Sequence, residues 1–149
     1  MARARLLIVC TGNSARSQIA EGLFRHEAGE RFEVFSAGTE PAHIRPEAIQ
    51  VMNEIGIDIS QQKAKSVDAF SGQHFDLVIT VCDKAREKCP VFTQPVEVLH
   101  WPFDDPARKP EGSEARINEF RRVRDRIHAR IMVFLGEIAP ALEHGRAAE

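Results

Sequence analysis

A chain of 149 residues that is 43% apolar and 28% charged has the balance of a soluble globular protein, and its length fits one domain, 1–149, with a buried core. A formal net charge of −2 argues against a surface dedicated to nucleic acid or to membrane as the main role. The basic stretch 1–5 leads into an apolar run, 6–9, far too short for a signal peptide or a membrane span, so a cytoplasmic protein is expected.

The run 6–9 reads as a buried strand, ending at Cys10 and a polar turn that contains Gly12. Ile19, Leu23 and Phe24 recur at helical spacing and predict an amphipathic helix over 17–28. Residues 32–35 form a second strand. Pro46 opens a helix that runs to about 55 and ends at Gly56. Residues 76–81 (DLVITV) make a fully buried strand ending at Cys82, and 96–99 another, followed by a loop over 101–110. A closing helix is expected over 116–136. Four strands alternating with helices predict an α/β fold: an open, four-stranded parallel sheet with helices on both faces. Ligands of such sheets bind beyond the carboxyl ends of the strands. Cys10, Cys82 and the Asp104-Asp105-Pro106 loop all follow strands directly, so they should share one rim.

The three cysteines, Cys10, Cys82 and Cys89, are an odd number and do not make a structural disulfide framework. Neither they nor the scattered histidines have zinc spacing, and no metal is expected. The segment Cys10-Thr11-Gly12-Asn13-Ser14-Ala15-Arg16 puts a thiol and a guanidinium at the two ends of a strand-to-helix turn. Successive backbone N–H groups there, up to the helix start at Ser17, can cradle a tetrahedral anion. Arg16 can add a two-pronged contact to two of its oxygens. The same positive field favours the thiolate of Cys10, with Ser14 and Ser17 as hydrogen-bond donors to its sulfur.

The stretch VCTGNSARSQIAEG resembles the active-site loop of low-molecular-weight protein tyrosine phosphatases and, more closely, of the arsenate reductases that share their fold. The likeness extends through FSAG (35–38), DLVITVCD (76–83), REKCP (86–90) and HWPFDDPA (100–107), and so covers nearly the whole chain. The family usually has a further cysteine inside the loop where this chain has Ala15. By itself Asp-Asp-Pro reads as a turn or a cap; beside the loop, the resemblance implies that Asp105 is the general acid, Asp104 being the less suited of the two.

The resemblance also implies a thiol relay. Cys10 attacks arsenate, Cys82 then attacks Cys10 and releases arsenite, and Cys89 takes over Cys82. A thioredoxin-type protein reduces the resulting Cys82–Cys89 disulfide, although spacing alone leaves thioredoxin and glutaredoxin both open as donor. No bound cofactor is implied, and phosphate or sulfate should act as analogues of arsenate. If 83–88 is helical in the reduced chain, Cys82 and Cys89 lie about 10 Å apart along the helix axis, and that segment must unwind to close the bond. A low-molecular-weight tyrosine phosphatase is the alternative, but such enzymes commonly carry tyrosines after the Asp-Pro pair, where this chain has Ala107 and Arg108 and no tyrosine anywhere. A non-enzymatic thiol sensor would need the cysteines but not Asp105. The basic run Arg121, Arg122, Arg124, Arg126 and Arg130 reads as a solvated helix face, and the protein as a monomer without nucleic-acid or membrane partners.

Some of these reductases share a potassium site beside the loop, at positions matching Asn13, Glu21 and Ser36 plus a carboxylate. Here Lys65, in QQKAKSV, stands where the carboxylate would be, with Lys63 close enough to blur the alignment. An ammonium between those oxygen ligands would be a built-in substitute for the ion.

Overall fold

The structure, a computed structural model, describes residues 3–81 and 97–148, with side chains described as far as 138. Strand β1 (Ala4–Cys10) lies inside the sheet, between β2 (Phe32–Gly38) and β3 (Leu77–Thr80), and β4 (Glu97–His100) forms the edge beyond β3. The order β2-β1-β3-β4 is parallel throughout, as the alternation of strands and helices requires. Leu6, Leu7, Ile8 and Val9 are wholly buried, because a strand covered on both faces has no solvent side to alternate toward. Strand β2 runs three residues further than its apolar run suggests. Ser36-Ala37-Gly38 are poor strand formers, but pairing of Gly38 with Cys10 holds them in line.

Phe32 and Phe35 lie at opposite parity on β2 and mark the two faces of the sheet. On one side Phe32 joins Phe24 of α1 (Arg16–Ala28), Trp101, and Phe134 of the last helix, with Trp101 stacked on Phe24 at 6.1 Å and beneath the Arg130 guanidinium at 4.5 Å. On the other, Phe35 meets Phe75 and Phe70, the latter from a 3-10 turn at Val67–Phe70. Helix α1 is not amphipathic at its start. Residues 17–24 are all buried, and the polar Gln18 and Glu21 among them are satisfied by internal partners.

Helix α2 (Pro46–Asn53) starts at its proline but frays before Gly56, which instead takes φ +80° in the turn that follows. Helix α3 (Glu114–Ala148) begins earlier than its apolar spacing suggests, because the Ser113 hydroxyl accepts the Arg116 N–H at 3.1 Å and caps it. It also runs past Gly136, since one glycine inside a helix costs only about 1 kcal/mol. Its arginines are not a uniform solvated face. Arg124 is buried, its guanidinium donating to Val51 O and pairing with Glu54, while Arg121 pairs with Glu54 and Arg122 with Glu119. No helix among the described residues is long and apolar enough to cross a membrane.

Candidate active site

At the carboxyl ends of β1 and β4 lies a cavity of about 670 Å³. Cys10, Thr11, Gly12, Ser14, Ala15 and Arg16 form one wall, and Pro102, Phe103, Asp104, Asp105 and Arg108 the other, with Ala42 and Arg45 completing the lining. Cys10 is the last residue of β1 and is 2% exposed, so the sheet itself holds the thiol at the base of the loop. The three arginines outnumber the two aspartates among these residues, and the cavity is electropositive on balance.

The first wall is shaped by what lies behind it. Asn13, wholly buried, adopts φ +48°, a left-handed conformation that asparagine tolerates better than most residues. Its amide nitrogen donates to Ser17 Oγ (2.8 Å) and Ser36 Oγ (2.9 Å), while its Oδ1 accepts from Lys65 N (2.9 Å) and Gln18 Nε2 (3.0 Å). Asn13 and Ser17 thus stand behind the cavity and fix the loop's course. The outward carbonyls are taken by the chain that follows β2: Thr39 N donates to Cys10 O, Glu40 N to Thr11 O, Ala42 N to Gly12 O and Arg45 N to Ser14 O. With its carbonyls engaged behind it, the loop can turn N–H groups toward the cavity. Helix α1 adds to them, since its Ncap residue Ala15 supplies no side-chain cap to consume the first-turn donors.

Arg16 spans the two walls, donating from Nη1 to Phe103 O at 3.1 Å. Its Nε is buried with no acceptor among the described residues, the arrangement an incoming oxyanion would complete. Asp105 sits on the second wall, where its Oδ1 accepts the Ala107 N–H at 2.9 Å and caps the 3-10 turn Pro106–Arg108. The cap therefore restrains the Asp105 carboxyl at the cavity wall. Asp104 is more exposed and lies 3.9 Å from Arg126.

Behind the loop, Glu21 is 2% exposed in its side chain and gathers three partners. Ser36 Oγ donates to its Oε1 at 2.6 Å, Arg25 approaches at 2.7 Å and Lys65 Nζ at 3.6 Å. Lys65 Nζ also donates to Lys63 O at 2.7 Å, so Lys65 supplies the ammonium at this node and Lys63 only a carbonyl. Asn13, Glu21, Ser36 and Lys65 are thus brought together. Cys82, Cys89 and the segment 83–88 lie outside the described residues.

Three contributors were not evident from residue type. Gly38 lies so close to the loop that a Cβ there would stand 2.6 Å from Thr11 O and 2.9 Å from Asn13 N. Its position at a strand end beside Cys10 was the available signal. Gln18 braces Asn13 through both its backbone and side-chain oxygens. Arg45, just before the helix-opening Pro46, brings both a lining side chain and the N–H that holds Ser14 O.

Residues 5–143 match the family model for low molecular weight phosphotyrosine protein phosphatase. The chain is 43% identical over 134 residues to an arsenate reductase of Shouchella clausii, spanning 90% of this chain and 96% of that protein. Among solved structures, an arsenate reductase in a phosphate-binding state superposes with a TM-score of 0.73 at 30% identity, covering 91% of this chain and 99% of the other. A thioredoxin-dependent arsenate reductase of Corynebacterium glutamicum superposes with a TM-score of 0.64 at 29% identity, covering 88% of this chain and 61% of that one.

Proposed function

The chain belongs to the low molecular weight phosphotyrosine protein phosphatase family, and we propose that it reduces arsenate to arsenite with electrons from a thioredoxin-type dithiol protein. The observation that carries this reading is the single cavity lined by Cys10, Arg16 and Asp105. Two thiols beyond the nucleophile, Cys82 and Cys89, favour reduction over hydrolysis, because a hydrolase completes its cycle with water alone.

In the proposed cycle the loop N–H groups and Arg16 bind the arsenate oxygens, and the Cys10 thiolate attacks arsenic(V). An S–As bond forms, an As–O bond breaks, and Asp105 protonates the departing oxygen, which leaves as water. The Cys82 thiolate then attacks the Cys10 sulfur. The S–As electron pair passes to arsenic, which leaves as arsenic(III), and a Cys10–Cys82 disulfide remains. Cys89 attacks Cys82 and frees Cys10 as a thiolate, and the external dithiol reduces the Cys82–Cys89 bond by exchange. Phosphate and sulfate should compete at the same loop, and slow hydrolysis of aryl phosphates should accompany reduction, since its first step needs the same three residues. We take the protein to work as a monomer in the cytoplasm, where thiols are kept reduced, in arsenic detoxification.

We read the node behind the loop as unsuited to potassium. Glu21, the one carboxylate of the implied set present in this chain, already faces Arg25 and Lys65, and a further cation would be repelled. Lys65 then acts as a fixed positive charge that keeps Glu21 neutralised and Asn13 in place.

Cys89→Ser tests the relay. After one equivalent of arsenate, this variant should release arsenite once and accumulate a Cys10–Cys82 disulfide, seen by peptide mass spectrometry. If all its thiols stay free while arsenite is released, the relay is wrong.

A further inference from the structure

The cap that restrains Asp105 uses the N–H of Ala107, and the other side of the same residue is also held. Arg116, at the start of α3 and 6% exposed, donates from Nη1 to Ala107 O at 3.3 Å and to Lys109 O at 3.4 Å. Its Nε forms an ion pair with Glu47 Oε2 at 2.6 Å, both side chains being largely buried (7% and 17% exposed). Glu47 lies in the first turn of α2. The N–H of Arg45, the Ncap residue of that helix, donates to Ser14 O of the oxyanion loop. The start of α2 is therefore tied to both walls of the cavity, to the thiol wall by a backbone hydrogen bond and to the acid wall by the Glu47–Arg116 pair.

We propose that Arg116 is a positioning residue for Asp105, acting through the Ala107 peptide and anchored by Glu47; this rests on the reading of Asp105 as the proton donor. The chemistry of the contact suits the task. A guanidinium carries several donors in a fixed plane and a full positive charge, so it can grip two carbonyls of one turn while its charge pairs with a carboxylate. Burying two charges is costly unless they are paired, and Phe120 packs under the guanidinium, 5.7 Å from its ring centre, which narrows its freedom further. Misplacing a proton donor by about 1 Å costs up to about 100-fold in rate. Loss of Arg116 should thus slow the step that Asp105 serves and leave arsenate binding to the opposite wall unaltered.

The test is a double-mutant cycle on the pre-reduced full-length chain, reading arsenite release in a single turnover, so that no electron donor is required. Arg116→Gln should lower the maximal rate about 10-fold with unchanged half-saturation by arsenate. In an Asp105→Asn background the same change should cost less than about 2-fold, and Arg116→Lys should recover part of the loss. A general loss of folded protein would instead lower the rate equally in both backgrounds. Glu47→Gln, whose side chain is less buried, should repeat the pattern with a loss of about 3-fold and decides the matter if Arg116→Gln does not fold. Equal losses in both backgrounds, or none, overturn the positioning role of Arg116. An Asp105→Asn variant as fast as the wild type overturns the reading of Asp105 itself.

Discussion

The two walls of the cavity are built in opposite ways. In the thiol wall, four backbone ties from residues 39–45 hold the loop's carbonyls, and a wholly buried Asn13 with every side-chain polar atom engaged holds it from behind. The acid wall is partly exposed, and its Asp105 turn rests on its own cap and on one buried arginine. The contrast follows from what each wall must do. Donors that bind an anion work best when their geometry is fixed beforehand, because any reorganisation would be subtracted from binding. A proton donor must approach the departing oxygen and then let product out, so a lighter attachment serves it.

The largest effect should come from Cys10→Ser, which removes the proposed nucleophile and leaves both walls standing. Arsenate reduction and any aryl phosphate hydrolysis should fall by on the order of 10⁴-fold or more, with the thermal midpoint little changed. Substantial turnover in either assay would remove Cys10 from that role.

Breaking the rigid wall itself calls for Asn13→Ala. It deletes four side-chain hydrogen bonds and puts alanine at a left-handed φ, for a combined cost of about 3 kcal/mol. Urea denaturation should register that loss, and phosphate should bind more weakly. Undiminished phosphate affinity would show that the wall does not depend on its buried brace.

A smaller change sharpens the account of that brace. Lys65→Asp sets a second carboxylate beside Glu21, and like charges at such distance oppose each other. Activity and thermal midpoint should fall in sodium buffer and recover several-fold in potassium at equal ionic strength. Clear potassium stimulation of the unaltered chain would end the fixed-cation account.

The smallest expected effect is a control at the far end of α2, away from both walls. Glu54 is held below its ordinary value mainly by hydrogen bonding from Arg121; burial opposes this, and hydrogen bonding from Arg124 adds to the lowering. A carboxylate with a depressed folded-state pKa lends stability above its unfolded value, 4.5, and loses it as pH falls through the folded value. Glu54→Gln should therefore lower the thermal midpoint slightly at pH 7. The difference should shrink as pH drops below 4.5, with arsenate kinetics unaffected. An equal difference at all pH values would mean that the ion pair contributes nothing.

What could be read from residue order was whatever is local. The buried strands around 6–9 and 77–80 stand out because a strand covered on both faces is nearly all apolar, although the expected start at Asp76 falls on an exposed carboxylate just before the strand. The loop is legible because its thiol, glycine and arginine follow directly on such a strand. Other supports of the site were hidden for the complementary reason. Glu47 beside Arg116 and Gly38 beneath Thr11 join residues far apart in the chain. A lone charged residue or glycine looks the same in sequence whether it is buried or solvated. Helix α1 misled in a related way, since its polar residues mimic a wet face while facing partners inside the protein.

Trp101 opens the acid wall, and it is the one tryptophan in a chain without tyrosine. It lies 5% exposed, stacked on Phe24 and capped by the Arg130 guanidinium. The ultraviolet emission of this protein therefore originates at a single point, next to the segment that carries Asp105. A displacement of that segment on anion binding would change the distance to the guanidinium and the polarity around the indole, so it would be visible as a change in emission colour without any label. The fold thus contains its own optical gauge for the more loosely attached wall.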